Sequence, residues 1–344
     1  MTRTESPERP PPPVTFLMLT YNQEKLVEEA MRGALAQDYP HLEIVVSDDA
    51  SPDGTFDVIR AVADSYSGPH RLIVNRMPKN VGIFPHLYSA VGLSSGRLIV
   101  GAAGDDVSYP NRVSRLAEQW RRTGADALFS DWDVIGEQGE LIRKGRPEVT
   151  PTVDVGAYFP GRKVEHIMGV GSAYARTVFE EVPLPEGVNF AEDFFFTLML
   201  ALKGRTIAYV DERLVAYRQH GGSATNQPAL MSVEAAEAAR RRAIASSLAA
   251  LRYFERAAVT GEGFAGGWGE TAAVDLDRLR SDIAHFELRA RWPSASMAER
   301  LGALARSRNL DQLKWVLPRL LGMRGLALLK GVRGKVRRVT GRPG

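Results

Sequence analysis

Short apolar runs alternate with longer amphipathic segments over the first 130 residues of the chain. The apolar runs have strand length and many β-branched residues: VTFLMLT (14–20), LEIVVSD (42–48), RLIVN (71–75), RLIVGAA (97–103) and ALFSD (127–131). The segments between them, 23–37, 55–65, 84–93 and 110–123, have the length and apolar spacing of helices. This alternation predicts βαβ units, and therefore an α/β fold with a mostly parallel sheet flanked by helices.

The regular alternation ends near residue 133, and the later pattern is different. A Gly/Pro-rich region leads to a predicted strand at 171–175, a helix that begins near 191 and a strand pair, TIAYV and LVAYRQH. Beyond residue 226 the sequence predicts helices. We therefore expect a proline-rich tail at 1–13, an α/β domain at 14–226 and a helical C-terminal region at 227–344 with a basic amphipathic end.

Aspartate pairs follow two of the predicted strands. Asp48 is the last residue of LEIVVSD, and Asp49 follows it. Asp105 and Asp106 come one residue after RLIVGAA. The carboxyl ends of parallel strands meet at one edge of a sheet, so both pairs are expected to line one crevice. Adjacent carboxylates repel and need a counter-cation or good solvation, and their oxygens suit Mg²⁺ or Mn²⁺. The pattern indicates a metal and ligand site, with solvated acidic turns as the alternative.

Two further candidates lie later in the chain. Glu192 and Asp193 begin an apolar helix, where acids either stabilise the helix N-terminus or act as a general base. His220 follows the last predicted strand and precedes the glycine pair at 221–222. It is a candidate ligand for a metal or phosphate, or else a structural or exposed histidine.

Composition and charge exclude several classes of protein. The 344 residues contain no cysteine, which excludes disulfide frameworks, thiolate metal sites and cysteine nucleophiles. The N-terminus lacks the apolar region of a signal peptide, and no apolar run reaches the length of a membrane span. From residue 301 onward eleven Lys/Arg stand against one acid, although the net charge is only +3. We expect a cytoplasmic protein, with peripheral attachment to the inner face of the membrane as an option.

The ordered set of motifs resembles the family 2 glycosyltransferases, which are inverting enzymes of the GT-A fold that use nucleotide-diphosphate sugars. The motifs are TYN (20–22), SDDAS (47–51), NVG (80–82), GDD (104–106), ED (192–193) and YRQH (217–220), and the resemblance covers about 14–223. It implies that nucleotide-binding residues are Thr20, Tyr21, Asn22, Asp48, Asp49, Asn80, Gly82 and Asp105. It further implies Asp193 as the catalytic base, Asp106 and His220 as metal ligands, and stacking of Tyr21 on the base.

The sequence departs from the family pattern at two positions. Many members read D-x-D-D where this chain has Ala103 at the first position, and His86 stands where an arginine commonly follows the N-x-G motif. The expected function is transfer of a sugar to a hydroxyl of a glycan or lipid-linked saccharide, with Mg²⁺ or Mn²⁺ as cofactor. Alternatives are a sugar-nucleotide nucleotidyltransferase, which would need a Gly-rich basic loop after the first strand, and a non-catalytic glycan-binding protein.

The basic C-terminal segment at 313–342 mixes leucines, a tryptophan and cations. This composition is typical of a helix that lies on an anionic membrane surface. The alternative is a helix that packs on its own domain with a basic end. Nucleic acid is not an expected partner, because the segment lacks interleaved aromatic residues or a known motif.

Overall fold

A computed structural model describes residues 11–145, 154–184, 192–221, 233–261, 272–306 and 316. The strands are β1 (Val14–Thr20), β2 (Leu42–Asp48), β3 (Arg71–Arg76), β4 (Leu98–Ala103), β5 (Val107–Ser108), β6 (Ala127–Ile135), β7 (Leu141–Arg143), β8 (Ala173–Ala175) and β9 (Ile207–Arg218). The helices are α1 (Val27–Leu35), α2 (Thr55–Ser65), α3 (Ile83–Gly92), α4 (Arg112–Thr123), α5 (Arg176–Glu181), α6 (Glu192–Leu202), α7 (Val233–Thr260), α8 (Leu276–Arg291) and α9 (Met297–Arg306).

In the described residues all the strands belong to one sheet. Its order is β3-β2-β1-β4-β8-β6-β9-β5, with β7 beside β6. Strands β1 to β4 pair in parallel, as do β6 and β9, whereas β8 is antiparallel to both β4 and β6. The predicted α/β fold with a mostly parallel sheet and flanking helices is therefore confirmed.

The strands at the centre of the sheet are buried because helices cover them. Strand β2 is buried along its whole length, and β1 is buried apart from one partly exposed residue. One core cluster joins β1, β2 and β4 to the apolar residues of α1, α2 and α4. A second, aromatic layer joins α3, α6 and α7, where Phe195 contacts both Phe84 and Tyr253 with ring centroids 5.3 and 5.4 Å apart. Burial on both faces explains the continuous apolar runs in the sequence.

The predicted strand pair after residue 205 is a single strand in the structure, so this prediction was wrong. Strand β9 runs through the polar residues Asp211, Glu212 and Arg213, and its pairing with β6 shifts register beside them. An ion pair between Glu212 and Arg115 of α4, with atoms 2.6 Å apart, holds the polar stretch in place. The short strands β5 and β7 were not predicted.

The chain divides into two compact units, 1–274 and 275–344. Helix α7 packs within the first unit. In that unit Phe254 contacts Tyr158 and Phe159, with ring centroids 6.0 and 5.9 Å apart. Pro12, in the predicted tail, accepts a hydrogen bond from the Tyr39 hydroxyl at 2.7 Å.

The second unit contains α8 and α9. Its described core consists of Leu288, Ala295, Ala303 and Val316, with Trp292 packed against them. Apart from Val316, the basic segment 313–342 lies outside the described residues, as do residues 1–10 of the predicted tail. None of the helices that the structure describes combines the length and hydropathy needed to cross a membrane.

Candidate active site

Strand β1 ends at Thr20, and Tyr21 and Asn22 follow it. These three are the first of the predicted nucleotide-binding residues. Thr20 is buried, and its hydroxyl lies 3.3 Å from both the Ser47 carbonyl and Oδ1 of Asp48. Asn22 has a φ of 58°, a left-handed conformation in which asparagine is enriched. The turn leaves the side chain of Tyr21 48% exposed, so its ring is accessible at this edge of the sheet.

Asp48, at the end of β2, is fully buried and holds the turn that follows it. Its carboxylate accepts hydrogen bonds from the backbone N–H of Ser51, at 2.9 Å, and from the Ser51 hydroxyl. One oxygen also lies 3.5 Å from Nε of Arg76. These contacts compensate a charge that would be costly to bury alone. They favour a structural role for Asp48 over direct contact with a nucleotide.

Asp49 holds the loop that contains Asn80 and Gly82. Its two carboxylate oxygens accept hydrogen bonds from the backbone N–H groups of Val81 and Gly82, each at 2.9 Å. Gly82 has a φ of 84°, where a side chain would be strained. Asn80 is exposed next to these contacts. The structure thus brings the predicted residues of the SDDAS and NVG motifs together at one edge.

Two basic residues lie near this edge and differ in their surroundings. Arg76, the last residue of β3, donates to the Ser51 carbonyl at 3.0 Å, lies over the Phe56 ring and remains 45% exposed. Arg76 was not predicted from the sequence, although its place at the end of a parallel strand was a usable signal. His86 is instead buried, with Nε2 2.7 Å from the Ser47 hydroxyl, and burial lowers its pKa. His86 therefore supplies a hydrogen bond to the core.

The GDD motif begins where β4 ends. A Cβ on Gly104 would lie 2.5 Å from side-chain atoms of both Thr20 and Gln23, so glycine is required for this close approach to β1. Asp105 is partly exposed, and its Oδ2 lies 2.9 Å from Nε2 of His220. The structure therefore brings together a carboxylate and an imidazole that are 115 residues apart in sequence.

Asp106 is more deeply buried than Asp105. Its Oδ1 accepts a hydrogen bond from the backbone N–H of Arg218 at 2.8 Å, and the residue is 7% exposed. Burial, and then the charge of Asp105, raises the pKa of Asp106 well above its usual range. These surroundings favour a structural role for Asp106, which was predicted as a metal ligand. Asp105 and His220 are instead within hydrogen-bond distance of each other, and both side chains are partly exposed.

Two fully buried arginines, Arg112 and Arg218, place positive charge near Asp106. Their positive charges offset the repulsion between the adjacent carboxylates of Asp105 and Asp106. Burial lowers the pKa of Arg112 to about 10, against the opposing effect of Asp106. Arg112 donates to the Gly101 carbonyl of β4 at 2.6 Å and lies 3.3 Å from the Val170 carbonyl. It therefore connects the GDD strand to the loop before β8.

That loop carries the contact to the predicted base, Asp193. Oδ2 of Asp193 accepts a hydrogen bond from the backbone N–H of Gly169 at 3.1 Å, and Oδ1 accepts one from Phe194 at 2.7 Å. A Cβ on Gly169 would lie 3.0 Å from Oε1 of Glu192 and 3.4 Å from Oδ2 of Asp193. Both carboxylates of the ED motif therefore face this glycine, and the hydrogen bonds fix the orientation of Asp193.

Two residues near Asp193 have shifted pKa values. Burial, and then the charge of Asp193, raises the pKa of Glu192 to about 7. His166 packs with its ring centroid 6.4 Å from that of Phe194, and burial lowers its pKa. His166 was not predicted as a site residue, since no local motif marks it. At neutral pH Glu192 is therefore partly protonated, which relieves repulsion within the ED motif.

The fit of Mg²⁺ or Mn²⁺ can be judged from the ligand atoms. In the described part of the chain no group of three or more His, Asp or Glu side chains is placed to hold a metal ion. Asp105 and His220 supply one oxygen and one nitrogen. Such metals commonly bind one or two protein groups and complete their shell with substrate phosphates and water. The residues therefore fit a metal that binds together with a diphosphate.

Comparison with known proteins finds related sequences and structures. The family model described as glycosyl transferase family 2 matches residues 15–183. The succinoglycan biosynthesis protein ExoO of Rhizobium meliloti (strain 1021) is 27% identical over 208 residues, which are 56% of this chain and 57% of ExoO. The chain thus spans little more than half the length of that relative.

Solved structures share the fold at low identity. A mannosyltransferase, PcManGT from Pyrobaculum calidifontis in complex with GDP-Man and Mn²⁺, has a TM-score of 0.52 at 18% identity, covering 96% of this chain and 88% of its own. Residues 1–349 of S. aureus TarS in complex with UDP-GlcNAc have a TM-score of 0.52 at 16% identity, covering 90% and 80%. From motif order, sheet topology and these matches we conclude that the chain carries a family 2 glycosyltransferase domain of the GT-A fold.

Proposed function

We propose that this protein transfers a sugar from a nucleoside-diphosphate sugar to a hydroxyl group of an acceptor saccharide, with inversion at the anomeric carbon. The observation that supports this most directly is the Asp105 and His220 pair, which lies at the same edge of the sheet as the loop that contacts Asp193. Asp105 and His220 can hold a diphosphate there through a bound metal ion, and Asp193 can accept a proton.

For the donor, we propose that the nucleotide lies along the ends of β1, β2 and β3. The exposed ring of Tyr21 is suited to stack on the base, and Asn80 and Arg76 supply polar and basic groups at the same edge. Asp48 and Asp49 act indirectly, because their carboxylates hold the turn at Ser51 and the NVG loop.

We assign the metal-binding role to Asp105 and His220. Asp106 supports them through its hydrogen bond to the backbone of Arg218. Mg²⁺ or Mn²⁺ bound there would offset the negative charge that develops on the leaving diphosphate. Asp105 is the more exposed of the two adjacent carboxylates, and only its side chain faces an imidazole. This assignment moves the metal-binding role from Asp106, for which the sequence predicted it, to Asp105, and leaves Asp106 with a structural role.

Asp193 acts as the general base in this proposal. Its carboxylate takes the proton of the acceptor hydroxyl while that oxygen forms a bond to the anomeric carbon. The bond from that carbon to the diphosphate oxygen breaks, and its electron pair leaves with the diphosphate. The N–H groups of Gly169 and Phe194 orient the carboxylate for this transfer. A single displacement inverts the configuration, and no covalent intermediate is required.

The acceptor is proposed to be a glycan or a lipid-linked saccharide. The name of ExoO refers to succinoglycan biosynthesis, which supports a polysaccharide product for its relatives. The basic segment 313–342 is proposed to bind an anionic membrane surface. The full-length protein should sediment with vesicles that contain anionic lipid and remain in solution with vesicles that lack it. Replacing Arg337 and Arg338 by glutamate should remove this difference. Equal sedimentation of both proteins would contradict the membrane proposal.

The base assignment is tested with Asp193→Asn. The substitution keeps the shape of the side chain and removes its basicity, so sugar transfer should fall by about a hundredfold or more. Binding of UDP or GDP with Mn²⁺, followed by the rise in melting temperature, should persist because the donor edge is unchanged. Normal transfer by Asp193→Asn would refute the assignment.

The metal assignment is tested by comparing Asp105→Asn with Asp106→Asn. The first should lose metal-dependent nucleotide binding, whereas the second should keep it because an asparagine oxygen can still accept the Arg218 N–H. The opposite result would restore Asp106 as the ligand. If no nucleotide with either metal stabilises the wild-type protein, the non-catalytic glycan-binding alternative gains support. Release of pyrophosphate from a nucleoside triphosphate and a sugar phosphate would favour the nucleotidyltransferase alternative.

A further inference from the structure

Arg218 is a buried cation that contacts the GDD motif through its backbone and its side chain. It is 1% exposed. Its backbone N–H donates to Oδ1 of Asp106 at 2.8 Å, and its Nε donates to the carbonyl of Asp105 at 2.9 Å. His220 follows two residues later in the chain and contacts the Asp105 side chain. Arg218 therefore borders both members of the pair assigned to the metal.

The other end of the Arg218 side chain is paired with a half-exposed carboxylate. Nη2 forms an ion pair with Glu29 of α1, whose side chain is 56% exposed. Nη1 donates to the carbonyls of Gly136 and Glu137, at 3.1 and 2.9 Å, in the turn between β6 and β7. The guanidinium is thus fixed on several sides, and a surface carboxylate supplies its counter-charge.

We propose that Glu29 and Arg218 form a positioning pair for the metal site at Asp105 and His220. This inference rests on the metal assignment in the proposed function. Arg218 sets the backbone of Asp105 and the start of the segment that carries His220, while Glu29 holds the guanidinium. Neither residue is placed in contact with the metal or the substrate.

The charge of Glu29 has a second effect on the site. A buried guanidinium close to Asp105 raises the local potential and opposes a divalent cation. Glu29 lowers that potential by neutralising the guanidinium. A pair that served stability alone would change the melting temperature when broken, but it would leave the affinity for a cation unchanged. Metal affinity therefore distinguishes the two roles.

Glu29→Gln is the informative substitution, because the residue is half exposed and the change keeps its size. Glu28→Gln is the matched control: Glu28 also lies in the first turn of α1, is 54% exposed and pairs with Arg32 instead. Both substitutions remove one acid from the same helix end, so any effect on the helix dipole is shared. Only Glu29→Gln disturbs Arg218.

The experiment is a titration of the full-length protein with Mn²⁺ in the presence of UDP or GDP, measured by calorimetry and by the paramagnetic resonance of free Mn²⁺. We expect Glu29→Gln to raise the Kd for Mn²⁺ by about threefold, the size expected when a partly exposed ion pair is lost. Glu28→Gln should match the wild type. Arg218→Lys should raise the Kd by about tenfold or more, as is typical when a group supporting a metal ligand is changed. Glu29→Asp should restore part of the affinity.

The two ways in which this inference can fail are distinguishable. If Glu29→Gln binds Mn²⁺ as tightly as the wild type does, whether or not its melting temperature falls, the positioning role is overturned and the metal assignment stands. If the wild-type protein itself binds no Mn²⁺ with either nucleotide, the metal assignment is overturned and the inference falls with it. An equal loss of affinity in Glu28→Gln would also overturn the inference, because the effect would then belong to the helix end.

Discussion

The raised pKa of Glu192 predicts that this residue makes the protein less stable as the pH rises. The pKa increases from 4.5 to about 7 because of burial and the charge of Asp193. The folded protein therefore binds more protons than the unfolded chain between these two values. The stability associated with this group is fully present below pH 4.5 and is lost as the pH rises through 7. The substitution Glu192→Gln should remove this dependence.

The magnitude follows from the size of the shift. Each pKa unit corresponds to about 1.4 kcal/mol, and most of the shift lies within the range from pH 5 to pH 8. Over that range the wild-type protein should lose about 2.5 kcal/mol more of its free energy of unfolding than Glu192→Gln does.

Urea unfolding followed by tryptophan fluorescence at pH 5, 6, 7 and 8 measures the difference directly. Glu28→Gln serves as the control, because Glu28 is exposed on α1 and its curve should run parallel to that of the wild type. A difference below about 0.5 kcal/mol between the wild type and Glu192→Gln would refute the reasoning, since Glu192 would then be solvated in the folded state. A difference of opposite sign would mean that a cation next to Glu192 outweighs burial.

Three further predictions concern single positions. Gly169→Ala should lower kcat by about tenfold and leave donor binding intact, because the new Cβ would crowd Oε1 of Glu192 at 3.0 Å and shift the residue next to Asp193; transfer kinetics and nucleotide titration check this. Tyr21→Ala should weaken nucleotide binding by about tenfold through loss of stacking, without changing the melting temperature, as calorimetry can show. Gly96→Ala should destabilise the fold by about 2 kcal/mol or more in urea unfolding, because its Cβ would lie 2.3 Å from the backbone nitrogen of Thr15.

Controls for these predictions are available in the same chain. Gly92→Ala serves both glycine substitutions, since the added Cβ would have no atom within 4 Å apart from its chain neighbours and the backbone of its own helix. Tyr21→Phe keeps the ring and should bind nucleotide as the wild type does. Weakened donor binding in Gly169→Ala would contradict the separation of the base from the donor edge. Unchanged nucleotide affinity in Tyr21→Ala would remove the stacking role, and wild-type stability in Gly96→Ala would contradict the predicted clash.

A strand could be predicted from the sequence where its own residues carry the pattern, and not where it depends on residues far away in the chain. Strands β1 and β2 were predicted with their observed bounds, because burial on both faces produces continuous apolar runs. Strand β9 was predicted as two strands because Asp211, Glu212 and Arg213 look like a turn, and only the distant Arg115 shows why they remain in a strand. Strand β5 has two residues and depends on pairing with β9, so it carries no local pattern.

The same distinction applies to the candidate site. Asp105 and His220 were each predicted to follow a strand, because strand ends are readable from the sequence. Asp193 was predicted instead at the start of a helix. The different surroundings of Asp105 and Asp106 were not readable, since they depend on Arg218, which is 112 residues away from Asp106. Local pattern therefore indicates which residues gather at the edge, while long-range hydrogen bonds decide which of two neighbours faces outward.

The position of β8 between β4 and β6 affects how the protein folds during synthesis. Strands β1 to β4 are complete once residue 103 has been made, but the neighbour of β4 is supplied by residues 173–175. At typical translation rates the intervening residues take about 4 to 14 seconds to appear. During that interval the unpaired edge of β4 is open to pairing with other chains. Until residues 173–175 emerge, this edge of the nascent sheet therefore has no partner strand, and the histidine that contacts Asp105 has not yet been made.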